Sequence, residues 1–292
     1  MGLGMEQGRH RSTNRIRRVG LAPALFLLLA SCASHDVGPV ALQPELNAGD
    51  GIADCQVRLR DTTSAPGPEL DAASIHLVSW NVQKNSHTDW QRDFTTLIDD
   101  KDLVLVQEVS LREDSINALD GSRHWSFAPG YRKPGAISGV MTMSRSKPVA
   151  QCSFVNYEPL LRTPKATSIT RYGLTTTDDT LVVVNIHAVN FSMGLGAFER
   201  QFAQVREVLE SHDGPIIVSG DFNTWRKRRN EIVTGMAQAL GLTSLEFELD
   251  YRVTMFGNPL DHVYVRGLSL LDSTTARVDS SDHNPMSVTL KL

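Results

Sequence analysis

Hydrophobic and polar positions change their rhythm four times along the chain. Residues 9–18, RHRSTNRIRR, are basic, and residues 19–30, VGLAPALFLLLA, are unbroken apolar sequence. From 33 to 74 the periodicity dissolves into Gly, Pro, Asp and Ser, as in DTTSAPGPELDA; that is the composition of a tether. From Ile75 onward short apolar runs return. IHLVSWNV (75–82) and DLVLVQEV (102–109) read as buried strands, with a helix between them around 88–99. Further strands are expected at 139–145, 150–158, 165–172, 180–188, 215–222, 260–267 and 284–292. GAFERQFAQVREVLESH (196–212) carries Phe198, Phe202, Val205, Val208 and Leu209 at helical spacing. A second helix is expected over 226–240. Several strands precede the first long helix, so two sheets with helices outside fit better than a simple alternating α/β order.

The apolar run is too short for a comfortable permanent span, which needs roughly 20 residues. Basic flank, short apolar core and small residues together read as a signal peptide. The run ends in Leu29-Ala30-Ser31-Cys32, which resembles the bacterial lipoprotein box. The resemblance implies a leader over 1–31, a lipidated Cys32 and a tether over 32–74. The catalytic domain is then 75–292. Ala33, in place of the Asp of inner-membrane lipoproteins, implies an outer-membrane lipoprotein facing the periplasm.

Composition changes once that leader is set aside. The 292-residue chain has 29 Lys+Arg against 33 Asp+Glu, a net charge of −4. Residues 1–31 hold five of the Arg and one acid, so 24 basic and 32 acidic residues remain, a net −8. This is no strongly basic nucleic-acid binder, and 41% apolar residues exclude a disordered chain. With Cys32 taken by lipid, Cys55 and Cys152 are an even pair in an oxidising compartment. A disulfide between them is expected; the alternative is two separate buried thiols.

Polar residues gather where the apolar runs end. Asn81 closes SWN, Gln107 and Glu108 close VLVQE, and Asn185, His187 and Asn190 lie in NIHAVN. Asp221 and Asn223 lie in GDFN, Asp261 and His262 in LDHV, and Asp282, His283 and Asn284 in SDHNP. Taken singly, each is an ordinary surface carboxylate, a satisfied histidine or a tight turn. As a set at strand ends they can converge on one mouth. They would supply oxygen ligands for a hard cation, an acid–base His with an orienting carboxylate, and amide donors for an anionic transition state.

In that order the six motifs resemble the endonuclease/exonuclease/phosphatase superfamily, and within it bacterial proteins of the YafD type. The likeness spans about 75–292. It implies an α+β fold: a four-layer α/β sandwich of two mostly antiparallel sheets with helices outside. It also implies a Mg²⁺-dependent phosphodiesterase, with Mn²⁺ as the other usable cation. By the resemblance Glu108, Asn81 and Asp282 hold the metal. His283 activates water or polarises it toward phosphorus, and Asp261 holds its imidazole. Asp221 and Asn223 orient the water, and His187 and Asn190 contact phosphoryl oxygens. Lys165 and Arg226 lie on the substrate side, Arg226 opening the basic run Arg226–Arg229 beside Trp225. Abasic-site endonucleases carry Tyr where this chain has His187, which argues against a repair role.

The expected partners are a phosphodiester (nucleic acid, phospholipid head group or small diester) and a membrane reached through the amino-terminal lipid, with a monomeric chain. A membrane-entering aromatic hairpin is not evident; FSMGLGAF (191–198) comes nearest but reads as a loop entering a helix. Two other readings are a lipid-anchored binding protein without turnover, and a phosphomonoesterase or phospholipase of the same superfamily.

Overall fold

A computed structural model describes residues 50–60, 68–112, 123–192 and 194–292. The expected leader, Cys32 and the first part of the tether lie outside the described residues. The elements run α1 (Ile52–Arg60), β1 (Ile75–Asn81), α2 (Trp90–Ile98), β2 (Leu103–Arg112), β3 (His124–Lys133), β4 (Ala136–Ser144), β5 (Ala150–Tyr157), β6 (Pro164–Gly173) and β7 (Thr180–His187). They continue as α3 (Gly196–Leu209), β8 (Ile216–Asp221), α4 (Lys227–Leu240), β9 (Thr243–Ser244), β10 (Thr254–Met255), β11 (Asn258–Pro259), β12 (Asp261–Arg266), β13 (Ser269–Thr275) and β14 (Met286–Lys291).

Two six-stranded sheets form, in the orders β13-β14-β1-β2-β4-β3 and β5-β6-β7-β8-β12-β9. Each has one parallel pair among antiparallel neighbours: β1 with β2, and β7 with β8. A parallel pair needs a crossover, and α2 and α3 supply one each.

Alternation along the central strands sets the four layers. Ile75, Leu77, Leu103 and Leu105 of the first sheet meet Leu181, Val183, Ile217 and Val263 of the second in one buried cluster. Val78, Trp80, Val104 and Val106 point the other way, against Phe94 of α2. Val182, Val184 and Ile186 face Phe198, Phe202 and Val205 of α3 and Val233 and Met236 of α4. Two sheets with helices outside are therefore the architecture that the family resemblance implied.

Not every element follows the sequence pattern. Residues 52–60, which composition assigns to the tether, form α1, because Cys55 and Leu59 are buried in the outer core of the second sheet. Strand β3 has no clean apolar alternation and contains Pro129-Gly130, yet pairs along β4. β13 is an edge strand with most side chains exposed.

Cys55 and Cys152 form a disulfide across 97 residues of sequence, joining α1 to the edge strand β5. Replacing the pair by alanine should lower unfolding free energy by about 2–5 kcal/mol. Denaturant titration of the full chain, oxidised against Cys55→Ala/Cys152→Ala, measures it; equal midpoints would contradict a stabilising role.

Candidate active site

The carboxyl ends of both parallel pairs open at the same end of the sandwich. Asn81 is in register with Gln107, and His187 with Asp221. Asp221 is also in register with Asp261 on the neighbouring antiparallel strand β12. The three registers thus place Asn81 beside Gln107, and His187 and Asp261 on either side of Asp221.

Local backbone irregularities aim them. The β2–β4 register shifts between Val106 and Val109, and Glu108 within that bulge has φ +54°. A bulge re-aims a side chain. Here Gln107 enters the seam between the sheets, donating to Asn185 Oδ1 at 2.8 Å. Glu108 comes within 3.4 Å of His187 Nε2. Gly220 has φ +140°, and a Cβ there would lie 2.1 Å from the Ile186 carbonyl oxygen, so β7 and β8 approach this closely only around glycine. Asn223 turns the chain at φ +51°, a conformation asparagine tolerates.

Asp221 is the hub. Its Oδ2 accepts from Asn81 Nδ2 and Asn223 Nδ2, each at 3.1 Å, and its Oδ1 accepts from the Asn223 N–H at 2.9 Å. His187 Nε2 lies 3.5 Å and His283 Nε2 3.9 Å from Oδ2. Burial pushes the Asp221 carboxyl above its ordinary value, although His283, His187 and Lys165 pull it down.

Asp261 Oδ2 and His283 Nδ1 are 2.7 Å apart and both residues are buried. Burial lowers the His283 pKa, but Asp261 and Asp221 outweigh it and lift the imidazole to about 10. The segment carrying His283 is tied to β1: Ser281 Oγ donates to the Asn81 carbonyl at 2.6 Å, and Trp80 Nε1 to the His283 carbonyl at 2.9 Å.

Cationic groups crowd the other side. Lys165 Nζ donates to His187 Nε2 at 2.7 Å. Burial first, and then Lys165, hold His187 at about 4, so it is neutral at physiological pH. Burial raises the Glu108 carboxyl, but His187, Lys165 and Lys84 outweigh it and hold Glu108 at about 2. Lys84 Nζ is 3.1 Å from Glu108 Oε2. Lys84 stands in a run of three non-glycine residues at positive φ, Gln83, Lys84 and Asn85, each a costly conformation. Asn85 offsets that cost by bonding the backbone of Ser110 twice, at 2.9 and 3.2 Å.

Three functional neighbours have no strong sequence signal. Lys84 follows Asn81 without a motif of its own. Glu158, just past β5, is almost wholly buried; its Oε1 accepts from the Asn190 and Phe191 N–H groups at 3.1 Å and lies 3.8 Å from Lys165 Nζ. Arg229 closes the basic run that Arg226 opens, but is buried and donates to the carbonyls of Val189, Asn190 and Asn223. It pins loops together.

The other expected residues divide. Asn190 is half-buried and accepts from Trp225 Nε1 at 3.0 Å. Arg226 is exposed, with its guanidinium 4.1 Å from the Trp225 ring centre. Asp282 is exposed beside His283 and is not part of the tight acidic group. That group is Asp221, Asp261 and His283, whose ligand-type atoms lie within 4.8 Å of one another.

The Asp261–His283 pair gives a signed expectation. Its stabilising effect is complete below the ordinary histidine value of 6.5, declines as pH rises from there, and is gone above about 10. Asp261→Asn should bring the His283 midpoint down toward neutrality. Histidine ring titration by NMR reads this directly; an unmoved midpoint would refute the pairing as the cause.

The sequence matches the Endonuclease/Exonuclease/phosphatase family over residues 78–283. A UPF0294 protein of Vibrio parahaemolyticus is 34% identical over 275 residues, covering 91% of this chain and 96% of the relative. Among solved structures, an endonuclease/exonuclease/phosphatase from Bacteroides vulgatus superposes with a TM-score of 0.61 at 18% identity, covering 75% of this chain and 99% of that one. The human Nocturnin catalytic domain, solved with a bound sulfate anion, gives 0.57 at 16% identity, covering 77% and 96%. At those identities the superpositions speak for the fold, while the family match takes in residues from β1 to His283. The chain belongs to the endonuclease/exonuclease/phosphatase family.

Proposed function

We propose that the chain is a divalent-metal-dependent phosphodiester hydrolase, attached to the bacterial envelope through lipid on Cys32. The observation that carries the hydrolytic reading is the meeting of Asn81, His187, Asn223 and His283 around the single Asp221 carboxylate. Water activation, charge stabilisation and phosphate contacts all find a group there.

The donor set suits a hard cation, which takes carboxylate and amide oxygens. Glu108, with Asn81 beside it, would hold Mg²⁺ or Mn²⁺, and exposed Asp282 flanks the mouth. The Lys84 ammonium 3.1 Å from Glu108 Oε2 is consistent with a carboxylate facing positive charge. When bound, the cation neutralises charge on the phosphate and the leaving oxygen.

The protein groups divide the remaining work. Asp221 and Asn223 hold the attacking water, and Asp221, raised by burial, accepts its proton. His283, cationic at neutral pH through Asp261, donates toward the oxygen charge that grows at phosphorus. Of the two roles open to it, this charge state favours polarisation over proton abstraction. His187 and Asn190 contact the non-bridging oxygens, and Lys165 adds positive charge behind His187.

A panel of bis-p-nitrophenyl phosphate, DNA, RNA and phospholipid, run with Mg²⁺, Mn²⁺ and EDTA, tests the activity. EDTA-sensitive hydrolysis of at least one diester is expected, with His283→Ala slower by about 10²–10⁴-fold. No EDTA-sensitive turnover, or equal rates in the variant, would overturn the proposal. Mass spectrometry of the amino-terminal peptide tests the attachment: an acyl mass is expected on Cys32, and a free thiol there would sink it.

A further inference from the structure

An exposed aromatic tip stands beside the site. β10 and β11 form a two-stranded hairpin whose two-residue turn is Phe256-Gly257, with φ +51° and +77°. A turn with two positive φ values favours Asn-Gly or Asp-Gly. Phenylalanine is a strained choice there, and burial offers no compensation, since Phe256 is 82% exposed. Inside the fold, among the described residues, the ring has only a tilted contact with Trp225, which points to a further use outside the fold.

The hairpin has a fixed base. Asn258 Nδ2 donates to the Phe256 carbonyl, and Asn258 Oδ1 accepts from Asn230 Nδ2 of α4, each at 3.1 Å. The Phe256 ring lies 6.4 Å from the Trp225 ring, and Trp225 bonds Asn190 of the site. The Asn190 and Phe191 N–H groups share the Glu158 carboxylate, so Phe191 directly follows the residue that Trp225 bonds, and Leu160 lies two residues past Glu158; these are 60% and 67% exposed.

Cations complete the rim. Arg226, Lys227 and Arg228 are exposed at the start of α4, with the Lys227 side chain 90% accessible, on a chain of net charge −4. Separate apolar knobs among cations suit an anionic bilayer, where rings enter the interface and Lys/Arg meet head groups. A stacked nucleobase is less well served, because the Trp225 ring already carries two guanidiniums, Arg226 at 4.1 Å and Arg229 at 4.8 Å.

We propose that the rim of the site is an interfacial docking surface for an anionic lipid bilayer, with Phe256 as its inserting tip and Lys227 and Arg228 as its head-group contacts. This is a contact by the catalytic domain itself, separate from any amino-terminal lipid.

The test uses the full chain with tryptophan placed at single sites. Phe256→Trp, with Leu271→Trp on β13 as an exposed apolar control, is mixed with vesicles carrying brominated acyl chains, of phosphatidylcholine alone or with phosphatidylglycerol. Quenching of the added tryptophan is expected at 256 on the phosphatidylglycerol vesicles, and not at 271. Lys227→Glu/Arg228→Glu should cut that quenching at a given lipid concentration about tenfold or more. Absent quenching at 256, or equal quenching at both sites, would overturn the docking surface. Hydrolysis of bis-p-nitrophenyl phosphate by the Phe256→Trp chain separates the two proposals. Quenching without turnover supports the surface and counts against the hydrolase; turnover without quenching does the reverse.

Discussion

A carboxylate taken out of water is tolerated only where donors and positive charge replace its hydration. Asp221 imposes that demand at the seam of the sandwich. Two donors meet it, Asn81 from the first sheet and Asn223 from the loop after β8, while His187 of the second sheet and His283 of the loop before β14 stand 3.5 and 3.9 Å away. Meeting the demand fixes how the two sheets face each other at this end. The same set of contacts therefore holds the layers in register and assembles the chemistry.

Strain is concentrated around that hub. Glu108, Asn223 and the Gln83–Asn85 turn all sit at positive φ without being glycine. Side-chain bonds secure two of these places: Asn85 to Ser110, and Asn223 to Asp221 and the Ala188 carbonyl at 3.1 Å. Deeper support comes from Arg229, whose buried guanidinium joins the loops after β7 and β8. Rigid loops on a closed pair of sheets give the site its preorganisation.

Much of this is legible in the sequence, for a physical reason. Central strands are buried on both faces, so they read as unbroken apolar runs, and a polar residue ending such a run must emerge at a sheet end. Asn81, His187 and Asp221 are found that way, whereas Glu108, which also closes an apolar run, lies mid-strand in the β2 bulge. Elements that rely on their neighbours are not. α1 is held by two buried side chains, Cys55 and Leu59; β13 is an exposed edge; and β10 and β11 have two residues each. The bulge that turns Glu108 outward depends on β4 pairing. Nor does a run of four basic residues show that Arg229 goes inward while Arg226 stays out, since that depends on the carbonyls waiting beneath α4.

The bond between α1 and β5 also orders events in time. Synthesis runs from the amino terminus at about 5–20 residues per second, so Cys152 is made roughly 5–20 s after Cys55, the two lying 97 residues apart. Throughout that interval Cys32 and Cys55 are the only cysteines in the growing chain. Any oxidation then makes a wrong pair. Correct pairing becomes possible only once β5 exists, and Cys32 is the one competitor for either partner.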